Sequence, residues 1–205
     1  MPILRQVNSP HASRSYNILR DLADQIQNPT LSRISHDVIC CGSFQTAFGS
    51  GSAEKHHGYE GGLIVHTAEV TSYAAQMSKM FQGVDYDVLI TAAIFHDFKK
   101  ILEYQLEQTQ IVKTQYRKLV RHVAGSHAEF MVALNCEEET VPPEKVLGVE
   151  HAILAHHGRF EWGSPVEPQT LEALILHQAD VFSSLYGPER IQPYDAPVKP
   201  ILTHH

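Results

Sequence analysis

Apolar residues recur at helical spacing along nearly the whole chain, and this periodicity restricts the fold to an all-α bundle. A first helix is expected over about Ser13–Gln27, with Ile18, Leu19, Leu22, Ala23 and Ile26 on one face and Asn28-Pro29 as the stop. A short helix follows from Thr30, then a polar, glycine-containing loop over 49–61. A long helix is expected from Gly62 to about Met80, striped by Val70, Tyr73, Ala74 and Met77. Asp85 or Asp87 can cap the next, which carries Val88, Leu89, Ala92, Ala93 and His96 on roughly one face. The one interruption is 103–119, rich in Gln, Thr, Ile, Val and Tyr, which predicts a small hairpin or extended excursion. Helices resume over about Val120–Leu134, from Pro142-Pro143 to His157 with Gly158 as the stop, and from a Thr170 cap to about Leu185. The expected organisation is one domain over 1–187 and a Pro-rich tail over 188–205.

Several function classes are excluded by composition. No apolar run approaches the roughly 20 residues of a membrane span, and the first residues lack the apolar core of a signal peptide, so a cytoplasmic location is expected. A net charge of −7 argues against a large nucleic-acid surface, though not against a small phosphate ligand neutralised by metal. Cys40, Cys41 and Cys136 form no C-x-x-C pair and are expected to be buried free thiols. Nothing in the sequence opposes a homo-oligomer.

The unusual feature is 14 histidines. His204 and His205, at the end of the tail, are set aside. His66, His96-Asp97, His122, His156-His157 and Asp180 fall on or beside predicted helices. Taken singly, each has a bland explanation: a hydrogen-bonded histidine, a chance dipeptide, a helix C-terminal charge, a solvated acid. Asp180, however, lies inside LILHQADVF, where a carboxylate needs a partner. Imidazole and carboxylate together favour Fe, Mn, Ni, Co or Zn over Ca. On a helix, His96 and Asp97 would point about 100° apart, leaving Asp97 able to bridge two ions.

HHGYEGGLIVHT (56–67), AAIFHDFKKILEY (92–104), HAILAHHGRFEWGSPVEPQTLEALILHQAD (151–180) and the upstream NPTL (28–31) carry a family resemblance. The order H…HD…D resembles the HD-domain metal-dependent phosphohydrolases. The fuller order H…HD…H…HH…D resembles their two-metal branch, which includes the HD-GYP phosphodiesterases. Over about residues 15–187 the chain most resembles the HD domain of YhaM-like 3′-to-5′ exoribonucleases.

The resemblance implies an HD-domain helical bundle holding one or two divalent ions. His66, His96, Asp97 and Asp180 would bind the first; Asp97 would bridge to a second, completed by His122, His156 and His157. His127 competes with His122, which sits in LVRHV where relatives often carry a glycine before the histidine. Lys100 matches the lysine of the family motif HD-x-G-K and would meet substrate phosphate. Lys99 stands at the motif's glycine and is expected to add a cation near the site.

The expected activity is hydrolysis of a phosphate ester in a nucleotide or short oligonucleotide by metal-activated water. His56 or His57 would protonate the leaving oxygen, or be ordinary loop histidines. Arg159 could meet phosphate and Trp162 or Phe160 could stack on a base, or Trp162 could anchor its loop to the core. His151 and His177 are expected to be structural or to support the ligands. Two alternatives stay open. One is a 3′-to-5′ exoribonuclease that takes its RNA grip from a partner, since the exoribonucleases carry an OB-fold ahead of the HD domain and no such segment is expected here. The other is a non-catalytic metal- or nucleotide-binding regulatory module.

Overall fold

From Asp87 to Phe98 every residue is buried, so the helix in this stretch has no solvent face to be amphipathic with. Such a helix must be enclosed by others, and the bundle is organised around it. The computed structural model describes residues 10–49, 57–108 and 110–186. Its helices are α1 (Pro10–Ala23), α2 (Pro29–Cys40), α3 (Gly42–Thr46), α4 (Gly62–Ser78), α5 (Tyr86–Phe95), α6 (Gln115–Leu119), α7 (His122–Asn135), α8 (Pro143–Ala155) and α9 (Leu171–Tyr186). Helix α5 lies among α2, α4, α8 and α9, while α4 also packs on α1. Leu63, Ile64, Leu89, Ile90, Ile94, Phe95 and Phe130 form the fully buried centre.

Helix boundaries follow from capping chemistry. Asn28 caps α2 by accepting the Leu31 N–H at 3.0 Å. Asp85 caps α5 through the Val88 N–H, and Thr170 accepts the Ala173 N–H at the start of α9. Asp87 does not cap its own helix. Its carboxylate accepts the Gln27 and Asn28 N–H groups at 2.7 and 3.1 Å, and Lys145 lies 3.1 Å away. Asp87→Ala leaves those two N–H groups without acceptors, and a loss of about 3 kcal/mol in urea unfolding is expected, with an unchanged m-value.

The 103–119 interruption divides in two. Strands β1 (Tyr104–Glu107) and β2 (Gln110–Lys113) pair antiparallel, with Tyr104 opposite Lys113 and Glu107 opposite Gln110. The remainder is helix α6 rather than extended chain, because Thr114 caps it by accepting the Arg117 N–H. The cysteines also differ from expectation. Cys40 and Cys136 are exposed and Cys41 is half-buried, because they terminate α2 and α7, where the helix ends meet solvent.

Among the described residues no helix is long and apolar enough to cross a membrane. The expected tail at 188–205 and His56 lie outside the described residues.

Candidate metal centre

Five helices or their ends deliver ligand-type side chains to one point, with α5 supplying His96. His66 comes from α4 and Asp180 from α9, while His122 is the first residue of α7. His156 and His157 follow the last turn of α8, which stops at Ala155 rather than running to His157. Gly158 turns the chain away with φ +82°, and a Cβ there would stand 2.3 Å from the His177 ring. Only glycine meets both conditions.

His96 and Asp97 are not consecutive residues of a regular helix. His96 is the C-cap of α5, and Asp97 leaves helical geometry with φ −111° and ψ 3°. The 100° divergence expected on a helix is thereby lost, and both side chains face one centre, with His96 Nε2 3.4 Å from Asp97 Oδ2.

Two groups of candidate ligands result, each with its ligand atoms within 4.8 Å of one another: His66, His96, Asp97 and Asp180, and His122, His156 and His157. Asp97 faces both. Its Oδ2 lies 3.2 Å from His66 Nε2, while its Oδ1 lies 3.2 Å from His122 Nε2 and 3.7 Å from His156 Nε2. Asp180 Oδ1 closes the first group at 3.1 Å from His66 Nε2.

The outward ring nitrogens fix which atoms face inward. His96 Nδ1 donates to the Ala93 carbonyl at 2.7 Å, and His156 Nδ1 donates to the Ile153 carbonyl at 2.6 Å. His122 Nδ1 donates to Glu103 Oε1 at 2.9 Å, and the His122 backbone N–H reaches the same oxygen. His66 Nδ1 meets Ser183 Oγ at 2.9 Å, whose hydroxyl in turn donates to Glu69 Oε2 at 2.8 Å. A neutral ring with its proton on Nδ1 carries a lone pair on Nε2. The buried Nε2 atoms of His96 and His156 have no hydrogen-bond partner among the described residues. His122 Nε2 and His157 Nε2 stand only 3.1 Å apart. Lone pairs converging on an anion repel it, and a cation between them removes the conflict. The donor set therefore fits divalent metal, through neutral imidazoles and carboxylates that need no thiolate.

Electrostatics divide the two groups. Burial opposes the charge of Asp97, but Lys100, His96 and His122 outweigh it and hold the carboxyl well below its usual range. Burial likewise works against Asp180, and its hydrogen bond and charge interaction with His66 win, lowering it. Burial would lower His66, yet Asp180 and Asp97 push it up to about 9. In the second group, burial and the neighbouring His122 pull His157 down to about 4. Burial, then His157 and His96, hold His156 well below its usual value.

Of the remaining sequence candidates, Lys100 joins the centre, its Nζ 2.5 Å from Asp97 Oδ2. His57 is buried on the Nδ1 side of His66, its ring 5.2 Å from that ring and its Nε2 3.2 Å from Glu69 Oε2. His127 pairs with Glu150 at 2.7 Å, so His122 and not His127 stands in the cluster. Lys99 also points elsewhere: its ammonium pairs with Glu129 at 2.6 Å while its stem lies along Gly125. Arg159 sits 5.0 Å over the Trp162 ring, and Trp162 is 54% exposed, so it is no core anchor. Both border a surface depression together with His177, whose Nδ1 donates to the His156 carbonyl. His151 accepts the Gln169 N–H.

Sequence reasoning passed over Glu69, Ser183 and Glu103. The first two were detectable, since His66–Glu69 and Asp180–Ser183 are i,i+3 pairs and so share a helix face. Glu103, fully buried between Arg117 and His122, carries no local signal because its partners lie 14 and 19 residues away.

Comparison with known proteins adds family context. The HD domain family model matches residues 63–185. The 3′-5′ exoribonuclease YhaM of Bacillus velezensis is 31% identical over 159 residues, covering 76% of this chain and 49% of that protein. YhaM of Bacillus subtilis is 30% identical over the same length and shares. YhaM of Oceanobacillus iheyensis is 28% identical over 177 residues, 82% of this chain and 54% of that protein. The chain thus spans about half the length of the curated relatives it matches. No solved structure matches.

Proposed function

The chain belongs to the HD domain family, and from that premise we propose that it is a divalent-metal-dependent phosphohydrolase cleaving a phosphate ester of a nucleotide or short oligonucleotide. The observation that carries this reading is Asp97, whose two oxygens face two separate histidine groups. His66, His96, Asp97 and Asp180 would hold one ion and Asp97, His122, His156 and His157 a second. Ions bound there supply an acidified water and neutralise charge on a phosphoryl group.

The chain's own residues do the rest. Backbone carbonyls and Glu103 hold the imidazoles in the tautomer that presents Nε2 inward. Lys100, whose ammonium already stands against Asp97, is set to meet a non-bridging phosphate oxygen as a point charge. His57 with Glu69 lies behind His66 and acts as a positioning pair rather than as the proton donor.

A second, finer reading is 3′-to-5′ exonuclease action on single-stranded RNA, favoured by the activity named for the YhaM relatives. One preparation, purified without added metal, tests these readings in sequence. Metal analysis is expected to give two ions per chain, and Mn²⁺-supported turnover of bis-p-nitrophenyl phosphate should follow. A ladder of shortened products from 3′-extended RNA then selects the exonuclease over a nucleotide phosphatase. Tightly held metal with no turnover of any ester overturns the enzyme reading in favour of a binding module.

A further inference from the structure

A cavity of about 640 Å³ opens between the hairpin and α6, lined by Lys113, Arg117, Lys118 and Arg121 with Gln105 and Glu107 among the remainder. Four of the chain's 16 Lys and Arg residues converge here, in a molecule whose net charge is −7. Arg117 is neutralised by its ion pair with buried Glu103. Among the described residues no carboxylate pairs with Lys113, Lys118 or Arg121, and Glu107 is engaged by the Gln105 amide at 2.7 Å.

This cavity adjoins the metal centre by two routes. Glu103 is shared: one oxygen takes Arg117 from the cavity wall, the other takes both the backbone N–H and Nδ1 of His122. Arg121 is the second route. Its Nη1 and the Nδ1 of His157 lie 3.1 and 3.7 Å from the point where a Gly163 side chain would begin. His157 is also the half-exposed member of its histidine group.

Arg121 adopts φ +67° and ψ 159°, a region that costs a non-glycine residue about 1–3 kcal/mol. No hydrogen bond of its side chain offsets that strain among the described residues, so the fold gains nothing visible from an arginine at a backbone position suited to glycine. Arg121 is among the residues that line the cavity.

We propose that this cavity binds the phosphodiester backbone of a single-stranded oligonucleotide beside the metal centre, with Lys113, Lys118 and Arg121 as the phosphate contacts. The inference rests on the phosphohydrolase reading for the orientation of the strand, and names its substrate as a chain of several phosphates rather than a lone nucleotide. A local cavity with three unpaired cations grips a flexible strand where a −7 molecule cannot offer a broad basic surface.

The test uses the metal-loaded full chain and a fluorescein-labelled, cleavage-resistant 2′-O-methyl phosphorothioate hexauridylate, followed by anisotropy. Lys113→Ala with Lys118→Ala, both exposed positions, should weaken binding about tenfold or more at 0.1 M salt. The slope of log affinity against log salt should fall by about 1.4, two phosphate contacts' worth on a single strand. Arg121→Gly should also weaken binding while leaving the thermal midpoint equal or higher, a pairing that a merely structural arginine cannot produce. Unlabelled hexamer should compete far better than inorganic tripolyphosphate. Unchanged affinity in the double variant, no saturable binding by the unaltered protein, or equal competition by tripolyphosphate overturns the proposal. Turnover of bis-p-nitrophenyl phosphate by the unaltered protein tells the two failures apart. With turnover intact and binding indifferent to the cavity, only this inference falls. Cavity-dependent binding without turnover removes only the phosphohydrolase reading.

Discussion

Asp97→Asn is expected to lower phosphoester turnover about a thousandfold or more, the equivalent of about 4 kcal/mol of lost charge stabilisation. The carboxylate faces both histidine groups, so one substitution weakens both proposed ions, whereas His66→Ala or His157→Ala touches one group directly. Bound metal should fall from two ions per chain to one or none. A second effect complicates the reading: without metal, the amide leaves the Lys100 ammonium beside no full negative charge but that of Asp180, and breaking a buried pair of this kind costs about 3–5 kcal/mol. The double variant Asp97→Asn/Lys100→Met removes both charges. It should recover much of the stability in urea and none of the activity. An Asp97→Asn protein that keeps two ions and ordinary turnover would sink the bridging role.

The helices were legible because their signals are local. Pro29, Asp85, Thr170 and Gly158 punctuate the chain where their side chains or backbone freedom act within three or four residues. Legibility ended where tertiary surroundings decide. Helix α5 reads as amphipathic from Val88, Leu89, Ala92 and Ala93, yet Ile90, Thr91 and Ile94 are buried too, because four helices enclose it. The residues of the centre could be picked out because an acid amid LILHQADVF and paired histidines have few cheap alternatives. Their directions could not, since His96-Asp97 converges only after Asp97 departs from helical geometry. Standing at the glycine of the HD-x-G-K motif, Lys99 reads as a cation near the site, but in the 3₁₀ turn over Phe98–Leu102 its ammonium and that of Lys100 diverge, one to Glu129 and one to Asp97. Glu103 and Arg121 were invisible for a related reason. One works through residues far along the chain, and the other through a backbone angle.

Metal loading at pH 7 should release at least one proton per chain, and one of these should come from His66 in the first group. In the metal-free protein His66 is pushed up to about 9: burial opposes its charge, but Asp180 and Asp97 outweigh burial. It is therefore protonated at neutral pH, and an ion taking Nε2 must displace that proton. His157, held near 4 by burial and by His122, is already neutral, and His156 lies well below its usual value for the same first cause, so neither of these two rings adds this cost to the second group. Apparent affinity of the first ion should rise about tenfold per pH unit until pH approaches 9. The stability of the metal-free protein runs the opposite way. A folded-state value raised from 6.5 contributes stability fully present below pH 6.5 and lost as pH climbs through 9, about 3 kcal/mol in all. The gap in thermal midpoint between loaded and metal-free protein should therefore widen from pH 6 to pH 9. Calorimetric titration with Mn²⁺ in buffers of different ionisation enthalpy counts the protons directly. No proton released at pH 7 would mean that His66 is not the cationic partner holding Asp97 and Asp180 together before metal arrives.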